Sequence, residues 1–174
     1  MYDFDGMALY QALDAERQAR GLSWQKLADE IWELSAELNR QRNSHPISPS
    51  TIQNMGKRGG ATSCQHALFF LRWLGRSPES FLTDAPEEAR EGRLPEVGPD
   101  RRLRWNLKKL YAALDDRRRE RGLTWAQLAG ILRCTPSQVS GLRTARFATG
   151  MGLAMRIVQW LEQPAADFIY AARW

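Results

Sequence analysis

The sequence predicts an all-α protein made of two tandem copies of one five-helix unit. Three observations predict it: a long internal repeat, a helical spacing of apolar residues inside each copy, and no alternating strand pattern. The stretch Leu9 to Ala28 matches Leu110 to Ala129 at a constant offset of 101, with 12 of 20 positions identical. Ser48 to Leu82 then matches Thr135 to Ile169 without gaps at an offset of 87, where Pro49, Ser50, Ala61, Thr62, Ala67, Trp73, Leu74 and Phe81 recur as Pro136, Ser137, Ala148, Thr149, Ala154, Trp160, Leu161 and Phe168. The change of offset means that the first copy carries 14 extra residues between Asp29 and Ile47. The division is therefore a first unit over 1–82, an acidic Pro/Gly linker over 83–100, and a second, basic unit over 101–174.

The elements follow in order. Leu103, Leu107, Leu110 and Leu114 form the stripe of a core-facing helix, matched in the first copy by Leu9, Ala12 and Leu13. Gly21 and Gly122 supply its stop, and Ser23 and Thr124 cap a short second helix. Leu128, Ala129 and Leu132 turn inward from that helix, Trp125 to Leu132. Thr135 caps a third helix opened by Pro136 and anchored by Val139 and Leu142. A longer apolar helix, Cys64 to Leu74 or Met151 to Leu161, precedes a last short one that begins at Pro78 or Pro164 and ends in Phe81 or Phe168.

Composition removes several classes of function. The 43% hydrophobic and 26% charged residues fit a globular protein, and no apolar run approaches the roughly 20 residues that cross a bilayer. The acidic start lacks a signal peptide's basic head, so a soluble, cytoplasmic protein is expected. Cys64 and Cys134, with only His45 and His66, make no zinc spacing. No nucleophile stands with a paired base, so neither catalysis nor a cofactor is implied. Charge is uneven: nine basic residues against nine acidic in 1–82, two against six in 83–100, and fourteen against five in 101–174. The second copy is thus expected to lead in meeting a polyanion.

The segment TWAQLAGILRCTPSQVSGL, Thr124 to Leu142, resembles the helix-turn-helix of the Cro/C1-type (Xre) repressor family, with Leu128, Leu132, Cys134, Val139 and Leu142 on its buried positions and Ala129 where its helices touch. The resemblance implies two tandem lambda-repressor-like helix-turn-helix domains that bind double-stranded DNA sequence-specifically as a transcriptional regulator, by the family's habit a repressor, and the preference for Arg over Lys, 21 to 4, points to a GC-rich bacterial or phage genome. It places Ser50, Thr51, Gln53, Asn54, Lys57 and Arg58 of the first copy, and Ser137, Gln138, Ser140, Arg143 and Arg146 of the second, on the DNA side. Amide side chains there read adenine and the trailing cations hold phosphates, with Gln138 the best reader of the second copy. Two departures stand out. Arg133 replaces the turn glycine, at a cost of about 1 kcal/mol if its backbone is left-handed, and Trp24 and Trp125 replace a polar residue at the start of the second helix.

The run Arg117, Arg118, Arg119 and Arg121 first of all complements a helix dipole. Trp32, Trp105 and Trp174, with Phe4 and Tyr170, are candidates for sealing the contact between copies. One chain reading an asymmetric site needs no dimer, although a homodimer stays open. The rival reading is a protein-interaction or dimerisation module with degenerate helix-turn-helix units, in which the insertion docks a partner. RNA binding is disfavoured, since no aromatic stacking platform is recognisable.

Overall fold

The computed structural model describes residues 1–145 and 148–174. In the first copy α1 (Gly6–Ala19) ends at Gly21, whose φ of 64° is left-handed. α2 (Trp24–Glu33) is capped by Ser23, which accepts from the Lys26 amide at 3.1 Å. Asp14, Arg17, Trp24 and Tyr10 lock these helices together. Arg17 pairs with Asp14 at 2.6 Å, donates to the Leu22 carbonyl at 2.8 Å and lies 4.1 Å over the Trp24 ring, whose indole stacks on Tyr10. The insertion extends α2 by about a turn and adds α3 (Ala36–Arg42). α4 (Pro49–Lys57) follows a capping box at Ser48, and α5 (Cys64–Leu74) leads to a 3₁₀ turn at Pro78–Phe81. The linker holds only the short α6 (Glu87–Arg90).

The second copy repeats this design as α7 (Leu107–Glu120), α8 (Trp125–Ile131), α9 (Pro136–Gly141), α10 (Met151–Leu161) and a 3₁₀ turn at Ala165–Phe168. Asp115, Arg118, Trp125 and Tyr111 rebuild the same lock, with the rings stacked at 5.4 Å and the guanidinium 4.5 Å from the indole. That packing explains an aromatic residue at both positions 24 and 125. Arg133 is left-handed, with a φ of 53°.

The expectation of an all-α protein is corrected. Arg102–Trp105 forms β1 and Ile169–Ala172 forms β2, an antiparallel pair in register Arg102 with Ala172 through Trp105 with Ile169. Leu103, read above as part of a helix stripe, lies in this strand. Four residues are too few to establish a period of two, although Arg102-Leu103-Arg104-Trp105 does alternate polar and apolar. The first copy keeps a vestige of the pair as a single bridge between Phe4 and Leu82. Phe4 and Trp105 are repeat equivalents, as are Leu82 and Ile169. Trp105, which lacks a tryptophan counterpart in the first copy, therefore has Phe4 in its place.

The copies meet through equivalent residues. Ser63 bridges Gly150, the Cys64 amide donates to the Thr149 carbonyl at 2.8 Å, and the Met151 amide donates to the Thr62 carbonyl at 3.0 Å. Ser63 and Gly150 are repeat equivalents at the offset of 87, and the two hydrogen bonds are each other's equivalents, since Cys64 corresponds to Met151 and Thr62 to Thr149; such reciprocity is the mark of a two-fold axis. One chain thus holds the geometry of a symmetric dimer. Each copy's leading strand also crosses to the other copy's long helix, fixed by a glutamine. Gln65 binds the Trp105 backbone at 3.0 and 3.2 Å, and Gln159 binds the Tyr2 backbone at 2.7 and 2.9 Å. One contiguous apolar core runs through both copies, from Leu9 and Ile52 to Leu110 and Phe168.

The insertion and the linker reinforce this seam. Arg72 donates to Ser35 at 2.8 Å and to the Val97 carbonyl at 3.0 Å, and Ser35 donates to the Arg101 carbonyl at 2.7 Å. Buried Arg102 reaches Asn39 at 2.7 Å and Ser44 at 3.0 Å. Neutral oxygens thus receive these two guanidiniums, whose pKa burial lowers. The partner that the insertion docks within the chain is the start of the second copy.

Candidate nucleic-acid interface

The two third helices, α4 and α9, border one groove that crosses the pseudo-two-fold axis. Its larger part, about 780 Å³, is lined by Thr51, Asn54 and Arg58 of α4 and its end, and by Ala145, Ala148, Thr149 and Gly150 opposite. A second part, about 250 Å³, shares Ala148 to Gly150 and continues past Ser137, Gln138 and Gly141 of α9. Thr51, Asn54, Ala61, Thr62, Ser63 and His66 in the first part are equivalents of Gln138, Gly141, Ala148, Thr149, Gly150 and Leu153 in the second. Both third helices therefore open on the same side of the molecule.

Side chains on the two helices are committed differently. Thr51 completes the cap of α4, its hydroxyl 2.9 Å from Ser48, and Ser50 lies 2.8 Å from the same Ser48 hydroxyl. Asn54 is exposed, Gln53 is half-buried, and neither amide has an intramolecular hydrogen bond among the described residues. Lys57 and Arg58 are exposed and in no ion pair there. In α9 the Gln138 carboxamide oxygen accepts from the Thr135 amide at 2.8 Å, which engages one of the two groups needed for paired recognition of adenine. Gln138 is thus first a capping residue, and the sequence reading that ranked it best overlooked that its type at N3 after Thr135 is itself a capping signal. Ser137 is exposed, Ser140 donates to the Ser137 carbonyl at 3.3 Å, and Arg143 is exposed just past α9. Arg146 lies outside the described residues.

The basic residues of the second copy are mostly occupied. Arg117 pairs with Glu162 at 3.1 Å, Arg118 and Arg119 share Asp115 at 2.6 Å, and Arg121 lies 4.9 Å from the Trp160 ring. Arg133 forks onto Asp3 at 2.7 and 3.1 Å, and Arg156 stands 3.6 Å from the same carboxylate. Of these carboxylates only Asp3 comes from outside the second copy, so the pairs orient its arginines and leave most of its positive excess in place.

Sequence reasoning missed four residues of the larger part: Gln65, His66, Arg104 and Trp174. Arg104 comes from β1 and thus from the second copy, and its Nε donates to the Trp174 backbone oxygen at 3.1 Å. Trp174 is 51% exposed at the groove edge, with the Arg104 guanidinium 4.7 Å from its ring. Burial, and then the nearby Arg104, lower the pKa of His66. No local motif marks these residues, because the strand crossing brings them together. Cys64 is buried beside the seam and its thiol is pushed up to about 12 by burial, which makes it a packing residue. Among the described residues no group of three His, Cys, Asp or Glu side chains is placed to hold a metal ion, and no helix is long and apolar enough to cross a membrane. No family model, curated protein or solved structure matches the chain.

Proposed function

We propose that the protein is a sequence-specific regulator of transcription, of the Cro/C1 type it resembles, in which a single chain reads two unlike half-sites of duplex DNA in inverted orientation. The observation that carries this reading is the reciprocal seam at Ser63 and Gly150, because it relates α4 and α9 as a two-fold axis relates the reading helices of a dimer. A pair of helix-turn-helix units joined by a free linker would accept direct or inverted sites of varied spacing. This seam, the two crossed strands and the shared core favour one orientation and one spacing.

Asn54 and Gln53 are the base-reading candidates of the first half, while Lys57, Arg58 and Arg143 hold backbone phosphates. The second half offers Ser137 and Ser140, short hydroxyls that discriminate less between bases. Selection of bound sequences from a random duplex pool tests the reading. The expected result is one motif of two inverted, non-identical halves about one helical turn apart, occupied by one chain. Recovery of no motif at low salt would overturn it and favour the protein-interaction module.

A further inference from the structure

We propose that Arg104, carried by the second copy, holds a backbone phosphate of the half-site read by the first copy. This rests on the DNA-binding reading above and adds to it a residue outside both helix-turn-helix segments. Arg104 lines the groove with Asn54 and Arg58 of the first copy. Its position is built from several directions: β1 pairs with β2, Gln65 holds the backbone of Trp105 next to it, and the insertion grips Arg102 two residues earlier on the same face of the strand.

The charges around Arg104 call for an anion. It has no Asp or Glu carboxylate in ion-pair distance among the described residues, and its basic neighbours include Arg42, Arg102 and His66. Tyr170 is the other titratable side chain that acts on it. Arg42 spends one nitrogen on the Arg173 carbonyl at 3.0 Å, and Arg102 is bound to Asn39 and Ser44, so neither of these arginines meets an Asp or Glu carboxylate among the described residues. Like charges gathered beside low-dielectric walls raise the local potential for a polyanion. The guanidinium of Arg104 spends Nε on the chain and keeps its two terminal nitrogens for a phosphate, which its planar fork suits.

Its repeat equivalent has the opposite sign. Position 104 corresponds to Asp3, whose carboxylate engages Arg133 and Arg156 of the second copy. The crossed strands therefore deliver a cation to the first copy's side and an anion to the second's.

The test uses the full chain and a duplex of about 30 bp carrying the selected site. Arg104→Gln is expected to weaken binding about 5- to 10-fold near 0.1 M salt, lower the slope of log affinity against log salt by about one, and leave base preference unchanged, while Arg104→Lys keeps the slope. Phosphate-ethylation interference should lose its signal at one or two phosphates in Arg104→Gln, in the half-site whose preference Asn54→Ala relaxes. An unchanged slope in Arg104→Gln, or a lost signal in the opposite half, overturns the assignment of Arg104 while wild-type binding preserves the broader reading. A wild-type chain that binds no duplex overturns both. Circular dichroism and the melting temperature of both Arg104 variants establish that they fold.

Discussion

The two copies share a design and differ in what they leave free. α4 runs nine residues and leaves Asn54, Lys57 and the Arg58 that follows it exposed, whereas α9 runs six and spends Gln138 on its own cap. The strand crossing sharpens the contrast, with Arg104 delivered to the first copy's side and Asp3 holding two arginines of the second. A duplicated unit can thus divide its work. Under the proposed DNA-binding reading, one half reads and holds, and the other supplies symmetry, spacing and a share of the core.

The largest expected effect breaks the first copy's side of this comparison. The turn after α4 closes at Gly60, whose φ is 85° and where a Cβ would stand 2.2 Å from the Met7 nitrogen. The facing Gly6 is as crowded, its Cβ position 2.1 Å from the Gly60 carbonyl oxygen. Gly60→Ala is expected to cost about 2–4 kcal/mol, through a clash with backbone and a left-handed φ together. Thermal or urea unfolding measures this loss, and a variant as stable as the wild type would mean that the turn is free to move.

Next in size are the amides of the two third helices. Asn54→Ala is expected to lose about 1–3 kcal/mol on the selected duplex and to relax preference at one base pair. Gln138→Ala instead lowers folding stability by about 0.5–1 kcal/mol through its capping box and leaves base preference nearly intact. Binding to selected and scrambled duplexes, beside melting curves, separates the two outcomes. If Gln138→Ala shifts base preference as strongly as Asn54→Ala, the division of work between the copies is wrong.

Much of this architecture was legible in the sequence. The repeat located the helices because caps and stops are local: Ser23, Thr124 and Thr135 each accept the amide three residues on, and Gly21 and Gly122 are left-handed. The apolar spacing likewise found buried Leu128, Val139 and Leu142. The strand pair escaped because Arg102–Trp105 finds its partner 64 to 70 positions away, at Ala172 through Ile169. The charge count was blind to two side-chain placements for a related reason. A count along the chain cannot know that Arg133 closes on Asp3 or that Arg104 crosses to the other copy, since both follow from long-range strand placement. Gln138 was visible as an exposed amide, but its capping partner is only three residues away and offered the signal that would have demoted it.

A smaller effect comes from releasing the second copy's arginines. Asp3→Asn removes the carboxylate engaged by Arg133 and Arg156, and is expected to raise affinity for random duplex about two- to fivefold and to steepen the salt slope by up to one. A fluorescence-anisotropy titration across salt concentrations measures it, and no change would place those arginines away from the DNA.

The smallest expected effect is one of pH. Burial and Arg104 hold the His66 pKa below its ordinary value, which favours the neutral ring near pH 7. A phosphate nearby favours the charged ring, so the complex takes up a proton and affinity rises as pH falls from about 7.5 to 6, by about two- to threefold. The opposite sign applies to folding: the native chain favours neutral His66, and this contribution to stability is lost as pH falls below the ordinary histidine value. His66→Gln should flatten the binding profile, and an unaltered profile would exclude His66 as its source.

The central claim is that one chain, folded as its own dimer, reads two unlike halves of one inverted site. The most direct measurement is stoichiometry together with footprint on the selected duplex, by native mass spectrometry and hydroxyl-radical cleavage. The account predicts one chain per duplex protecting both halves, about one helical turn apart, with Asn54→Ala losing protection first in a single half. Two chains on a strictly palindromic site, or one chain protecting only one half, would contradict it.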